Sequence, residues 1–390
     1  MVKNEIHVWD LPQNKVYIKL KEDFRKEFFN KAYEINRSWS KLGKELGVKR
    51  PDTLIAKNWK YGECSFPLEI AIKLCKITKI SILKLEKNVL EIRCKEKLNK
   101  RGGNSGKPLF NPKFPIQINS NFVEIIGHIC GDGSIPQSKK RSGRPFCYIN
   151  SQFELIENFK LLVKKVFGNI EPWCAVRNDP KIYRRPNYYL RYPSILSIIT
   201  LIIFKGKDEP LSFPYYLMKD EKCKIAFLKA ITDDEGNVNL NNKHISIRMK
   251  TQKFIFGIKE IFQELGIRTG NVIKRGRGMF GVTIAQGKSI KRFEELIKLK
   301  HPVKRQNLKK IIIKGWKFDK DENYGAKVKI LNLLRLKDID TVELSRQLNK
   351  TTGNIKNHMK ILESKGLVKK YCKLNAKSNT PKIWSYIKNE

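Results

Sequence analysis

The chain has 390 residues, 41% of them hydrophobic and 10% aromatic, which is too long for one ordinary domain and too apolar for general disorder. Its 80 Lys and Arg against 38 Asp and Glu leave a formal charge of +42, a field that repels itself until a polyanion neutralises it. No apolar run reaches the roughly 18 residues of a membrane span, so nucleic acid is the expected partner, bound through its phosphates, and no membrane is expected.

The opening MVKNEIHVWD lacks the apolar core of a secretory signal, which makes the cytoplasm the expected compartment. Further on, SWSKLGKELGVKRPDTLIAKNW predicts a helix with Leu42 and Leu46 inward and a turn at Gly47. A second helix starts near Pro51 with Leu54, Ile55 and Trp59 inward. This is helix-turn-helix patterning, and it offers Arg50, Asp52, Thr53 and Lys57 to a major groove; the plain alternative is a small helical bundle that touches no DNA. Residues 1–95 are therefore read as a mainly helical domain. Residues 96–119, rich in Lys, Gly, Asn and Pro, are read as a linker. Within it GGNSGKP lacks the first glycine and the magnesium-binding hydroxyl of a phosphate-cradling loop.

The middle of the chain is duplicated. A helix starts at Asn121 as N-cap, with Glu124 three residues on, and runs FVEIIGHICGDG to Gly133; a second starts at Asp220 and runs EKCKIAFLKAITDDEG to Gly236. Each closes in acid-Gly. Strand-like runs follow, 134–138 and 146–150 in the first copy, 237–240 and 244–250 in the second. In the second copy Val238, Leu240, Ile245, Ile247 and Met249 alternate with Asn239, Ser246, Arg248 and Lys250. Amphipathic helices then carry Leu155, Phe159, Leu162 and Val166, or Ile258, Ile261, Phe262 and Leu265, and end at Gly168 or Gly266. A second strand pair and a last helix complete each copy; the apolar stretch Ile195 to Phe204 is read as a buried helix. The unit is αββαββα, twice, at 120–218 and 219–318, an α+β class. Its open polar strand face suits DNA, although a solvated sheet face reads the same from patterning alone.

Past the repeats, Asp340 and Glu343 predict a capping box for VELSRQL, and Thr351 or Thr352 starts a helix with Ile355, Met359 and Leu362 inward. LVKKY and IWSYI are the strands of a wing. Residues 319–390 therefore resemble a winged helix, which would point Asn354 and Lys356 at DNA. Eight cysteines without a CxxC pair are expected to be buried reduced thiols.

IIGHICGDG (125–133) and LKAITDDEG (228–236) match the LAGLIDADG pattern at the closing acid and glycine, and on these residues the chain resembles the single-chain LAGLIDADG homing endonucleases over about residues 120–310. The resemblance implies a duplicated saddle with a pseudo-twofold axis between the two helices, with Gly127 and Gly131 opposite Ala230. It implies a metal-dependent double-strand break in DNA, with Asp132 and Glu235 holding Mg²⁺, for which Mn²⁺ can substitute. It also implies a basic residue near each acid, with Lys304 in HPVKRQNL and Lys207 in GKDEPLSFP as candidates. Asn150 and Lys250, at strand ends taken as equivalent, hold water or phosphate.

The sequence departs from the pattern at Cys130, in place of the first acid, and at His128 and Lys229, polar where apolar residues are usual; Asp233 and Asp234 crowd Glu235. His128 is read as an interface or surface residue, not a ligand. A monomer is expected, since one chain supplies both halves. Two rivals share the fold: a non-cleaving regulator and an RNA-splicing maturase, the latter bringing RNA as partner. An intein is disfavoured by Met1 and by the ending YIKNE.

Overall fold

The computed structural model describes residues 4–94, 107–134, 146–178, 186–203, 213–314, 322–371 and 383–387. The chain divides into two compact units: one comprises 1–235, 251–261 and 297–301, the other 236–250, 262–296 and 302–390. The boundary passes through the second repeat.

The N-terminal region is mainly helical, but it also holds a small sheet that the patterning did not predict. Its elements are β1 (Glu5–Ile6), β2 (Val16–Leu20), α1 (Glu22–Asn36), α2 (Trp39–Leu46), a π-wound helix (Asp52–Trp59), β3 (Phe66–Pro67), α3 (Leu68–Thr78), α4 (Ile82–Lys87), β4 (Val89–Cys94), β5 (Leu109–Phe110) and β6 (Ile116–Gln117). A four-stranded sheet in the order β3-β2-β4-β5 underlies the helices, and β6 pairs with β1. The expected linker is thus wrong for 107–119, which supplies two of these strands; pieces of only two residues, Leu109–Phe110 and Ile116–Gln117, become strands because β4 and β1 offer an edge. Residues 96–106 of that linker lie outside the described residues. The helix-turn-helix patterning holds: α2 ends on Gly47 with φ 67°, Leu42, Leu46, Ile55 and Trp59 are buried, and Arg50, Asp52, Thr53 and Lys57 are exposed.

The first repeat runs α5 (Ser120–Cys130), β7 (Gly133–Ser134), β8 (Phe146–Asn150), α6 (Phe153–Phe167), β9 (Trp173–Arg177), β10 (Asn187–Tyr192), α7 (Ser194–Ile203). The second runs α8 (Glu221–Glu235), β11 (Gly236–Asn239), β12 (His244–Met249), α9 (Gln252–Glu264), β13 (Ile273–Lys274), β14 (Phe280–Ile284), α10 (Gly287–Leu296). Their sheets have one topology, β7-β8-β10-β9 and β11-β12-β14-β13, antiparallel throughout. This is the LAGLIDADG-like αββαββα fold, twice. The helical stripes are inward as expected, with Leu155, Phe159, Leu162 and Val166 buried in α6, and Ile258, Ile261 and Phe262 in α9 with Leu265 just beyond it.

After α11 (Pro302–Lys314) come α12 (Glu322–Leu336), β15 (Ile339–Asp340), α13 (Thr341–Gln347), α14 (Thr352–Ser364), β16 (Val368–Tyr371) and β17 (Ile383–Tyr386). Asp340 caps α13 by accepting from the amides of Val342 and Glu343, and Thr351 caps α14 at the amide of Asn354. A core of Ile330, Leu344, Ile355, Met359, Leu362 and Trp384 closes this winged helix. In the same unit it abuts the turn between β11 and β12: the Thr352 hydroxyl bonds the Asn242 side chain, and Lys243 donates to the Asn349 carbonyl at 3.4 Å.

Of the described cysteines, Cys75, Cys130 and Cys223 are buried, but Cys174 is exposed on edge strand β9, against the expectation for it.

Candidate site at the paired acidic helices

Asn119, rather than the expected Asn121, caps α5 by accepting from the amides of Asn121 and Phe122, and Asp220 receives the amide of Cys223 at the start of α8. The two helices pack at small residues. A Cβ added at Gly127 would lie 2.7 Å from the Cβ of Ala230, and one at Gly131 would lie 2.7 Å from the Cβ of Asp234. The register is symmetric, motif position against motif position, so the residues that follow, Asp132 and Glu235, leave the pair at the same end. α5 stops at Cys130 and Asp132 stands two residues beyond it, whereas α8 continues through Glu235.

The polar departures from the pattern prove to be paired. Lys229 meets Glu124 at 2.6 Å across the interface, and Asn158 donates to the same carboxylate at 3.1 Å. His128 is fully buried, its Nδ1 3.0 Å from Asp234 Oδ2. The hydroxyl of Tyr148 donates to Asp234 Oδ1 at 2.7 Å, and the amide of Asp132 reaches Oδ2 at 3.5 Å. Asn150 Nδ2 donates to Asp132 Oδ2 at 2.8 Å and lies 3.4 Å from Asp234 Oδ1.

Charge follows this geometry. Burial alone would push the His128 imidazole down, yet the Asp234 carboxylate beside it, with Glu124 and Asp233 farther off, raises it above its usual range. Burial, then Asp234, pushes the Tyr148 phenol up and keeps it a neutral donor. Asp233 is raised by burial, against the opposing amides of His301 (2.9 Å) and Lys300 (3.0 Å), which its carboxylate holds at the end of the second repeat. Asp132, Asn150, Asn187, Asp233, Asp234 and His301 line an open cavity at this end of the helix pair.

Of the expected site residues, Asp132 and Asn150 are brought together here. Glu235 is half-exposed on the last residue of α8 and does not line the cavity; Lys304, half-exposed in the first turn of α11, belongs to the other unit. Lys207 lies outside the described residues. The equivalence of Lys250 with Asn150 fails on register. Gly133 pairs with Tyr148 and Gly236 with Ile247, so the counterpart of Asn150 is Met249 and exposed Lys250 is one residue further on. On the polar strand face Arg248 is exposed beside Gly281, but Ser246 is buried in the middle of the sheet between Asn237 and Thr283. Asn239 turns to its own hairpin and accepts the amide of Asn242 at 2.8 Å. Asn354 and Lys356 are exposed on α14.

Sequence patterning missed the basic-aromatic pairs of the first sheet, Arg177 over Tyr189 at 4.3 Å and Arg191 over Trp173 at 5.0 Å. Alternation in NYYLRY carried the signal, since Leu190 and Tyr192 are buried and Arg191 is not. Tyr148 and Asp234 were also missed as a pair. Setting the two motifs against each other puts Asp234 opposite Gly131, a charge in a small-residue position that needs a buried partner.

Among the described residues no three His, Cys, Asp or Glu side chains are grouped to hold a metal ion.

Residues 222–298 match the family profile of the LAGLIDADG-like domain, and residues 325–370 match that of the bacterial regulatory protein, arsR family. The homing endonuclease I-DmoI in complex with DNA and Mn is similar at 16% identity over 46% of this chain and 98% of that one, TM-score 0.35. Full-length DUF199/WhiA from Thermatoga maritima is similar at 15% identity over 65% of this chain and 94% of that one, TM-score 0.37. Glutamine–fructose-6-phosphate aminotransferase of Methanocaldococcus jannaschii is 28% identical over 270 residues, 63% of this chain and 24% of that protein. The chain thus spans about a quarter of that relative's length. Residues 222–298 thus carry a LAGLIDADG-like domain and residues 325–370 a helix-turn-helix region. No helix among the described residues is long and apolar enough to cross a membrane.

Proposed function

We propose that the protein is a monomeric, site-specific DNA endonuclease that makes divalent-metal-dependent double-strand breaks, with Asp132 and Glu235 as the acids that hold the metal. The observation that carries this reading is the symmetric seating of Gly127 on Ala230 and Gly131 on Asp234, which sends both acid-Gly ends out on one side of the helix pair. Magnesium bound there would activate water and stabilise the leaving oxygen. Asp132 supplies a carboxylate whose Oδ2 is held by Asn150. Lys304 and Lys207 are the basic residues assigned to relieve phosphate charge. Arg248 and Lys250 on the second repeat, Arg50, Thr53 and Lys57 on the N-terminal module, and Asn354 and Lys356 on α14 are assigned to DNA, most of them to its phosphates. The aminotransferase activity in one relative's name is not carried over, because the match covers only 24% of that protein.

A second reading, a DNA-binding regulator that does not cut, is favoured by the match of residues 325–370 to a regulatory-protein family. One experiment separates the two: binding and cleavage selections on a randomised DNA library, followed by Asp132→Asn and Glu235→Gln on the recovered target. The endonuclease reading expects Mg²⁺-dependent cleavage by the wild type, a loss of orders of magnitude in each variant, and binding retained. A discrete footprint with no cleavage gives the regulator reading. Equal cleavage by wild type and both variants removes Asp132 and Glu235 from the mechanism.

A further inference from the structure

We infer that Asp234 is a positioning residue that holds Asn150 on Asp132, and that it serves the Asp132 half of the site alone. The inference rests on the endonuclease reading only for its consequence in cleavage; the positioning itself stands on geometry. Asp234 is the third acid of a crowded run, and proximity to Asp132 would make it a spare metal ligand. Its side chain is fully buried, however, and its oxygens are engaged by Tyr148, His128 and the amide of Asp132, with Asn150 close by. An oxygen so occupied is poorly placed to take a cation.

What these contacts fix is Asn150. Its Nδ2 stands between Asp132 Oδ2 at 2.8 Å, the Tyr148 hydroxyl at 3.3 Å and Asp234 Oδ1 at 3.4 Å, while its Oδ1 accepts the amide of Gln152 at 2.9 Å. The donor is therefore aimed at Asp132 from both ends of its amide. Ring stacking of Tyr148 on Phe159 at 4.3 Å holds the hydroxyl in place.

Among the described residues the second repeat does not repeat this set. The positions that match His128, Tyr148, Asn150 and Asp234 in register are Ile231, Ile247, Met249 and Gly131. Glu235 is consequently held by other means, and removing the Asp234 carboxylate leaves its half untouched.

The test uses the full chain with Asp234→Asn and, because that change touches a buried ion pair, Tyr148→Phe as a second variant that removes one hydroxyl. Asp132→Asn identifies which strand of an end-labelled target depends on Asp132. Both test variants are expected to slow that strand tenfold or more and the other by less than about twofold, so that a nicked intermediate accumulates. The second readout needs no cleavage: in protein labelled with ¹⁵N at asparagine, the Asn150 side-chain amide is expected to lose protection from solvent exchange in both variants and to keep it in Glu235→Gln. Equal slowing of both strands, or an Asn150 amide unchanged in Asp234→Asn, overturns the inference. If the wild type cuts neither strand, the endonuclease reading fails and the amide signal still decides the positioning.

Discussion

The two repeats have the same element order and the same sheet topology, yet their acidic ends are built differently. In the first, α5 ends at Cys130, Asp132 follows in a turn, and His128, Tyr148 and Asn150 form a polar lining. In the second, α8 runs through Glu235, and the matching positions are Ile231, Ile247 and Met249. Asp234, an acid at a close-packing position, comes from the second helix and meets His128, Tyr148, Asn150 and the amide of Asp132, all of the first half. Duplication fixes where the backbone goes; the choice of one carboxylate in place of a glycine then makes the halves unequal. A buried carboxylate is tolerated only with partners, and the partners had to be placed on the facing repeat.

The largest expected effect tests that dependence. Asp234→Ala strands a buried imidazole and a phenol, and should cost about 3 to 5 kcal/mol, read as a lower urea midpoint at unchanged slope. A loss under about 1 kcal/mol would mean that water replaces the carboxylate and that the halves are equivalent after all. Next is the packing itself. Gly127→Ala drives a methyl to 2.7 Å from Ala230 and 3.0 Å from the Phe227 carbonyl, so a loss of about 1 to 3 kcal/mol is expected. Ala230→Gly should cost about 1 kcal/mol by helix propensity alone. Combining the two should recover part of the Gly127→Ala loss, because the small residue is merely moved across the symmetric contact; strict additivity would show that the contact is not shared.

A smaller effect separates the halves by pH. The imidazole of His128 is raised in the folded state, so its contribution is complete below the ordinary histidine pKa of about 6.5 and is lost as pH rises through the raised value. The melting-temperature advantage of the wild type over His128→Asn should narrow as pH rises above about 6.5. An advantage that widens with pH would mean that the imidazole is neutral beside Asp234. The smallest change lies outside the repeats: Thr351→Ala removes the cap of α14 and should cost about 1 kcal/mol while leaving the helix pair's exchange protection unaltered.

Several features were fixed by local chemistry and were legible without coordinates. Two acid-Gly helices, the period-2 and period-3.6 stripes behind them, the caps at Asp220, Asp340 and Thr351 and the inward rows of both flanking modules depend on residues a few positions apart. The N-terminal sheet was not legible, because β2 and β4 are joined through about 70 intervening residues and 107–119 becomes strand only against edges made elsewhere. Register was decided in the same way. That Met249 and not Lys250 matches Asn150 depends on which residue faces Gly236 across the ladder, and a one-residue slip changes the face of every side chain. Above all, the run Asp233-Asp234-Glu235 offers three similar carboxylates; the motif singles out Glu235 as its closing acid, but the sequence does not say what each of the three meets. Only the packed helix pair does so, turning Asp233 to the amides of Lys300 and His301, burying Asp234 against His128 and Tyr148, and leaving Glu235 partly exposed at the helix end. A side chain's role is set by the direction it leaves the helix and by what the facing chain has waiting there.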